Sequence, residues 1–169
     1  MDILNTENTN ILNNVIMRYK SSAATESVAR ALNNPATIAT PLEGVQEYFK
    51  IECVENEALG EKDAIINDSF QSRTERLKQI KAEAERVCRE AMLAYDKMTI
   101  KRKKDIENYE KHGFTKSKED AEVDIEIYQK EKEYINTQYL EILSKSDADI
   151  YAAYIRGFEK GIIMKNKKV

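Results

Sequence analysis

Few side chains in this sequence could ligate a metal or activate a nucleophile. There is one histidine, His112, and there are two cysteines, Cys53 and Cys88. A structural zinc site takes four Cys/His ligands, and three fall short. The cysteines stand 35 positions apart and outside any C-x-x-C pair. They read as reduced thiols filling helix-packing positions. A Ser-His-Asp or Cys-His set would have to use His112, which precedes Gly113 at an expected turn, where water is hard to exclude. The histidine fits better as a last-turn residue favoured by the helix dipole. Carboxylates are abundant, but a di-iron bundle needs Glu-x-x-His on two helices, and Tyr109 stands three residues before His112. The patterns G-x-x-x-x-G-K-[ST], G-x-G-x-x-G and H-E-x-x-H do not occur. The expectation is a protein with no catalytic residue, no cofactor and no metal, and hence not an enzyme.

The charged residues offer one further chemistry. Lys97, Lys101, Arg102, Lys103 and Lys104 put five bases into eight positions, a candidate nucleic-acid patch. A turn near Phe114 would fold positions 103–110 opposite 119–126. That second window holds Glu119, Asp120, Glu122, Asp124 and Glu126. Pairing inside the chain is therefore the favoured use of these bases, since opposite charge across two helices sets register. The formal net charge of −3 adds no general attraction to nucleic acid. Six of the nine tyrosines (Tyr95, Tyr109, Tyr128, Tyr139, Tyr151, Tyr154) fall on apolar stripes, where packing is commoner than base stacking.

The elements that carry these residues are helices. From Glu61 to His112 there is neither glycine nor proline, and the run is rich in Glu, Lys, Arg and Ala. As one helix it would be roughly 78 Å long. Phe70, Leu77, Ala84 and Ala91 repeat every seven residues, with Arg73, Ile80, Val87 and Ala94 interleaved three further on. This is an a/d seam. Past Ala91 the stripe moves to Tyr95, Thr99, Arg102, Ile106 and Tyr109, a four-residue stutter. Gly113 should supply a left-handed helix end. Ser117-Lys118-Glu119-Asp120 should cap the next helix, whose stripe is Ala121, Ile125, Tyr128, Lys132, Ile135, Tyr139 and Ile142.

Shorter helices flank this pair. Ile11, Leu12, Val15, Ile16 and Tyr19 recur at helical spacing, and a second short helix fits Thr25–Leu32, stopped before Pro35. Thr40-Pro41-Leu42-Glu43 is a helix start with a capping box. That helix should bury Leu42, Val45, Tyr48, Phe49, Val54 and Leu59 and end or bend at Gly60. Ser144–Ser146 should break the chain before a last helix burying Ile150, Tyr151, Tyr154, Ile155 and Phe158. Gly157 and Gly161 should loosen its end, ahead of a basic tail from Lys165 to Lys168. The fold expected is all-α: a long antiparallel, coiled-coil-like helical hairpin with short flanking helices at both ends. Residues 1–40 would form a contact arm, 41–145 the helical core with the hairpin, and 146–169 a C-terminal helix and tail.

No apolar stretch approaches the length of about 20 residues that spans a bilayer. Met1-Asp2-Ile3-Leu4-Asn5 lacks the basic and apolar regions of a secretory signal. A cytoplasmic or virion location without membrane contact is expected. In size, helicity and Lys/Asn/Ile-rich composition the chain resembles the small helical proteins of bacteriophage virions, such as head–tail connector or adaptor components. No diagnostic motif carries that likeness. It implies a structural subunit that meets other protein subunits in a homo-oligomeric ring or larger assembly. Contacts are expected through Ile11, Leu12, Val15 and Ile16 at one end and Tyr154, Phe158, Ile162 and Ile163 at the other. The alternative is a helical binding module or inhibitor with a single protein partner. A nucleic-acid accessory role ranks below both.

Overall fold

The structure, a computed structural model, describes residues 40–145 and 148–167. Among them it is all-helical. Helix α1 spans Pro41–Ile66, α2 Phe70–His112, α3 Thr115–Ile135, the single turn α4 Glu141–Leu143, and α5 Asp149–Lys167; a π-helical turn, Asn136–Leu140, joins α3 to α4. The helices expected at 11–19 and 25–32 lie outside the described residues, as does the end of the break expected at 144–146.

Helix α1 starts as its first residues dictate. The Thr40 hydroxyl accepts from the Glu43 N–H, the Glu43 carboxylate accepts from the Thr40 N–H (both 3.2 Å), and Pro41 occupies the first helical position. Val45 and Tyr48 are buried and Leu42, Phe49 and Leu59 pack partly against the core. Val54, expected inside, is 70% exposed. The helix does not end at Gly60 but continues to Ile66. What stops it is Asn67-Asp68-Ser69, whose short polar side chains compete with helical hydrogen bonding. Ser69 then caps α2 by accepting from the Ser72 N–H at 3.1 Å. The glycine-free run is thus no single rod. Its helix is 43 residues long, roughly 64 Å.

Helix α5 lies along α1, and this is where the core is tightest. The two run parallel: position 157 meets 57, 161 meets 61, and 165 meets 68. Gly157 and Gly161 are buried rather than loosening the helix end. A Cβ built on Gly157 would lie 1.9 Å from the Glu57 carbonyl oxygen, and one on Gly60 would lie 2.2 Å from that of Tyr154. The backbones touch because both helices carry small residues four apart, Gly60 and Ala64 on one, Gly157 and Gly161 on the other. Small-xxx-small spacing permits such an approach in any solvent. Tyr151, Tyr154 and Phe158 complete this layer, and Ile155 is only partly covered.

The middle of α2 closes the core with Ile80, Ala84, Val87, Cys88 and Ala91. The seam expected to begin at Phe70 does not, because Phe70 sits ahead of the core and is 73% exposed. The stripe shifts at Tyr95, where the neighbours change. The Tyr95 hydroxyl accepts from the Leu42 N–H at 3.0 Å and donates to Glu131, joining α1, α2 and α3.

At the far end Gly113 adopts φ 71, and the Phe114 N–H donates to the Tyr109 carbonyl at 2.9 Å. Helix α3 begins at Thr115 without a side-chain cap. Ser117 therefore lies inside it instead of capping it: the tight Gly113 end leaves no extended residue for Ser117 to follow. The partner position falls from 132 to 124 to 118 as α2 rises from Asp96 to Arg102 to Glu110, at 2.6, 2.8 and 2.8 Å. The two helices therefore run side by side in opposite directions. Beyond Thr99 no residue of α2 is buried, and over that stretch α3 buries Ala121 alone.

Candidate interaction surface

The residues that could do chemistry are dispersed. Cys88 is fully buried in the middle of α2, Cys53 is half-buried on α1, and His112 is exposed as the last residue of α2. Burial, reinforced by Glu85, pushes the Cys88 thiol up to about 12. Burial, then Asp149, raises that of Cys53 as well, against the opposing effect of Arg156. The His112 Nδ1 lies 2.8 Å from the Asn108 carbonyl oxygen, and its ring stacks on Phe114 with centroids 5.8 Å apart. Among the described residues no three His, Cys, Asp or Glu side chains are grouped to hold a metal ion.

Some of the partly buried polar groups act as pins between helices. Asp63 on α1 accepts from the Tyr154 hydroxyl and from Arg76 Nε, both at 3.0 Å, so one carboxylate oxygen joins α1, α2 and α5. Burial and then the hydrogen bond to Asp63 push the Tyr154 phenol well above its usual range. Tyr95 is raised for the same reasons, with Glu131 as the acceptor. Asn56 Nδ2 donates to the buried Glu52 at 2.6 Å within α1. These hydrogen bonds fix side chains within and between helices.

The basic stretch is divided in use. Arg102 reaches Asp124 across the helices and shares Asp105 with Lys101 on its own helix. Lys103 and Lys104 are exposed. In the basic tail, Lys165 pairs with Asp68 at 3.1 Å.

Apolar side chains supply the exposed features. On α1, Val54, Ile65 and Ile66 face outward, and Ala58, Glu61, Lys62 and the two isoleucines line a shallow groove. Phe70 is exposed at the start of α2, with the Arg73 guanidinium 5.0 Å from its ring centre. Leu93 and Ile100 are exposed on α2, Val123, Ile127 and Tyr134 on α3, and Phe114 at the tip.

No family model matches this chain, and no curated protein or solved structure proves similar to it.

The contact residues expected from sequence fall in different places. Ile11, Leu12, Val15 and Ile16 lie outside the described residues. Tyr154 and Phe158 are inside the chain's own core against α1, Ile162 is partly buried, and Ile163 is exposed. The exposed apolar residues on α2 and α3 are not among the contacts expected from sequence although their spacing is regular. Leu93 and Ile100 are seven apart, and Val123, Ile127 and Tyr134 are four and seven apart. Each set forms a second, weaker stripe on a helix whose first stripe is stronger.

Proposed function

We propose that this chain is a non-catalytic structural subunit of a larger protein assembly, using α2 and α3 as a coiled-coil-like antiparallel hairpin. A virion connector or adaptor ring is the setting that its composition and helicity suggest. One observation carries the reading: Ile100, Phe114, Val123 and Ile127 are each exposed by 43–56% on a two-helix arm beyond the core. Apolar side chains gathered at helical spacing on a projecting element favour a partner that covers them. No helix among the described residues is long and apolar enough to cross a membrane.

Sedimentation velocity across a wide concentration range tests this. Self-association, or a stable complex with other subunits, is expected. A monomer at every concentration, with both ends resistant to protease, would sink it. The tip supports a second reading, a one-to-one binding module, since Phe114 is flanked by Lys111, His112 and Lys116 as an aromatic anchor within a basic rim. That reading predicts saturation at one partner per chain and no ring.

A further inference from the structure

We infer, apart from the assembly reading above, that the π-helical turn between α3 and α4 is a one-residue register device. It stores a residue whose release lets the core hold Ile142 in place of Leu143.

Ala121, Tyr128 and Ile135 follow one another at seven residues. Ala121 and Ile135 are buried, and Tyr128 packs partly against the core. A regular α-helix would bring Ile142 onto that face next. Instead Leu143, eight positions past Ile135, is fully buried, and Ile142 is only partly so. The π turn accounts for the extra residue, since the Glu141 N–H donates to the Asn136 carbonyl, five residues back. Asn136-Thr137-Gln138-Tyr139-Leu140 contains neither glycine nor proline to force such a turn. Exposed side chains hold it instead. Asn136 Nδ2 donates to the Glu141 carboxylate at 3.2 Å, and the Thr137 hydroxyl donates to the Glu133 carbonyl at 3.0 Å.

Leucine and isoleucine are isomers, so exchanging Leu143 for Ile142 leaves the volume filling the core unchanged. The register with Ile142 inward is a regular helix and restores the α-helical hydrogen bonding that the π turn gives up. It loses the Asn136–Glu141 bond and turns the Tyr139 ring off Phe49 of α1, where the two ring centres lie 4.5 Å apart. Gains and losses of this kind are individually small and here they oppose each other. The opposite slip, of α3 instead of α4, is closed off because it would carry Asn136 into the buried place of Ile135. Helix α4 ends at Ser144, so the released residue passes into the connection that follows. Neither the α2–α3 pair nor α5 has to move. The Tyr139–Phe49 contact therefore reports which register is occupied.

NMR relaxation dispersion on the full-length chain tests the device, because helix register shifts fall in the microsecond-to-millisecond range. In the wild type the amides of residues 136–143 should exchange with a minor state on the order of a few per cent. Ile142→Ala removes the alternative occupant, and deletion of Gln138 removes the stored residue. Each should abolish that exchange while leaving helical circular dichroism unchanged. Leu143→Ala should do the reverse, raising the minor state several-fold and weakening the nuclear Overhauser contact between Tyr139 and Phe49. A wild type without exchange at these amides, or exchange that persists unchanged in both Ile142→Ala and the Gln138 deletion, overturns the inference.

Discussion

The carbonyl oxygen of Glu57 occupies the place where a side chain at Gly157 would begin. The ideal Cβ lies 1.9 Å from that oxygen and 2.7 Å from its carbon. The neighbour is helix backbone, which cannot turn aside as a flexible side chain can. Helices α1 and α5 therefore hold their separation only while position 157 is glycine.

Gly157→Ala should destabilise the chain by about 2–3 kcal/mol or more, because overpacking outweighs the gain of about 1 kcal/mol in helix propensity. Gly113→Ala should cost about 1–2 kcal/mol for a different reason. It meets no atom within 4 Å, but its φ of 71 is unfavourable for an L side chain. Urea unfolding followed by circular dichroism measures both. Equal midpoints for Gly157→Ala and the wild type would contradict the backbone contact.

Tyr154→Phe removes the hydroxyl that donates to Asp63 yet leaves Arg76 in place. A loss of about 1–2 kcal/mol is expected. Asp63→Asn weakens both bonds at once, so its loss should exceed that of Tyr154→Phe. A double-mutant cycle on Tyr154 and Asp63 should give a coupling of at least about 0.5 kcal/mol.

Raised phenol and thiol groups make stability sensitive to alkali. Burial, aided by Glu85, pushes Tyr151 up to about 12, and burial does the same for Cys88. Tyr95 and Tyr154 move in the same direction. In each case the folded chain keeps a proton that the unfolded chain releases. The contribution is full below the unfolded value, roughly 8.5 for cysteine and 10 for tyrosine, and is lost as pH rises through the folded one. Denaturation midpoints should therefore fall between about pH 9 and pH 12. Below that range Cys88 should resist thiol reagents until the chain unfolds, and Cys53 should react first. Rapid native labelling of Cys88 would show that the centre of α2 is open.

Ser69 separates α1 from α2 by capping the second helix. Ser69→Ala should lower stability by about 1 kcal/mol, whereas Ser69→Asp should be tolerated. Arg102→Ala, in a partly exposed ion pair with Asp124, should cost less, about 0–1 kcal/mol. Thermal unfolding ranks the two, and the reverse order would shift weight from caps to cross-helix charge.

Local chemistry was sufficient wherever one residue decides one backbone feature. Thr40-Pro41-Leu42-Glu43 specifies a helix start by itself, and Gly113 specifies a left-handed end, because both act within a few bonds. The inward stripe of α2 from Ile80 to Ala94 and the tyrosines at 95, 151 and 154 follow from helical period alone. Glycine in α1 and α5 was different. Isolated in sequence, Gly60, Gly157 and Gly161 signal weak helix, and only the backbone of the neighbouring helix, lying where their side chains would be, makes them packing residues. Tyr154 and Phe158 changed meaning for the same reason, since an apolar stripe does not say whether its cover lies in the same chain or in another. Asn67-Asp68-Ser69 broke the long run without glycine or proline, through side-chain competition too weak to be decisive until α1 and α2 each found a place against α5. The amino-acid order determines which helices form and which faces are apolar. Tertiary packing decides which of those faces remain for a partner, because burial is a property of pairs of surfaces and not of one helix.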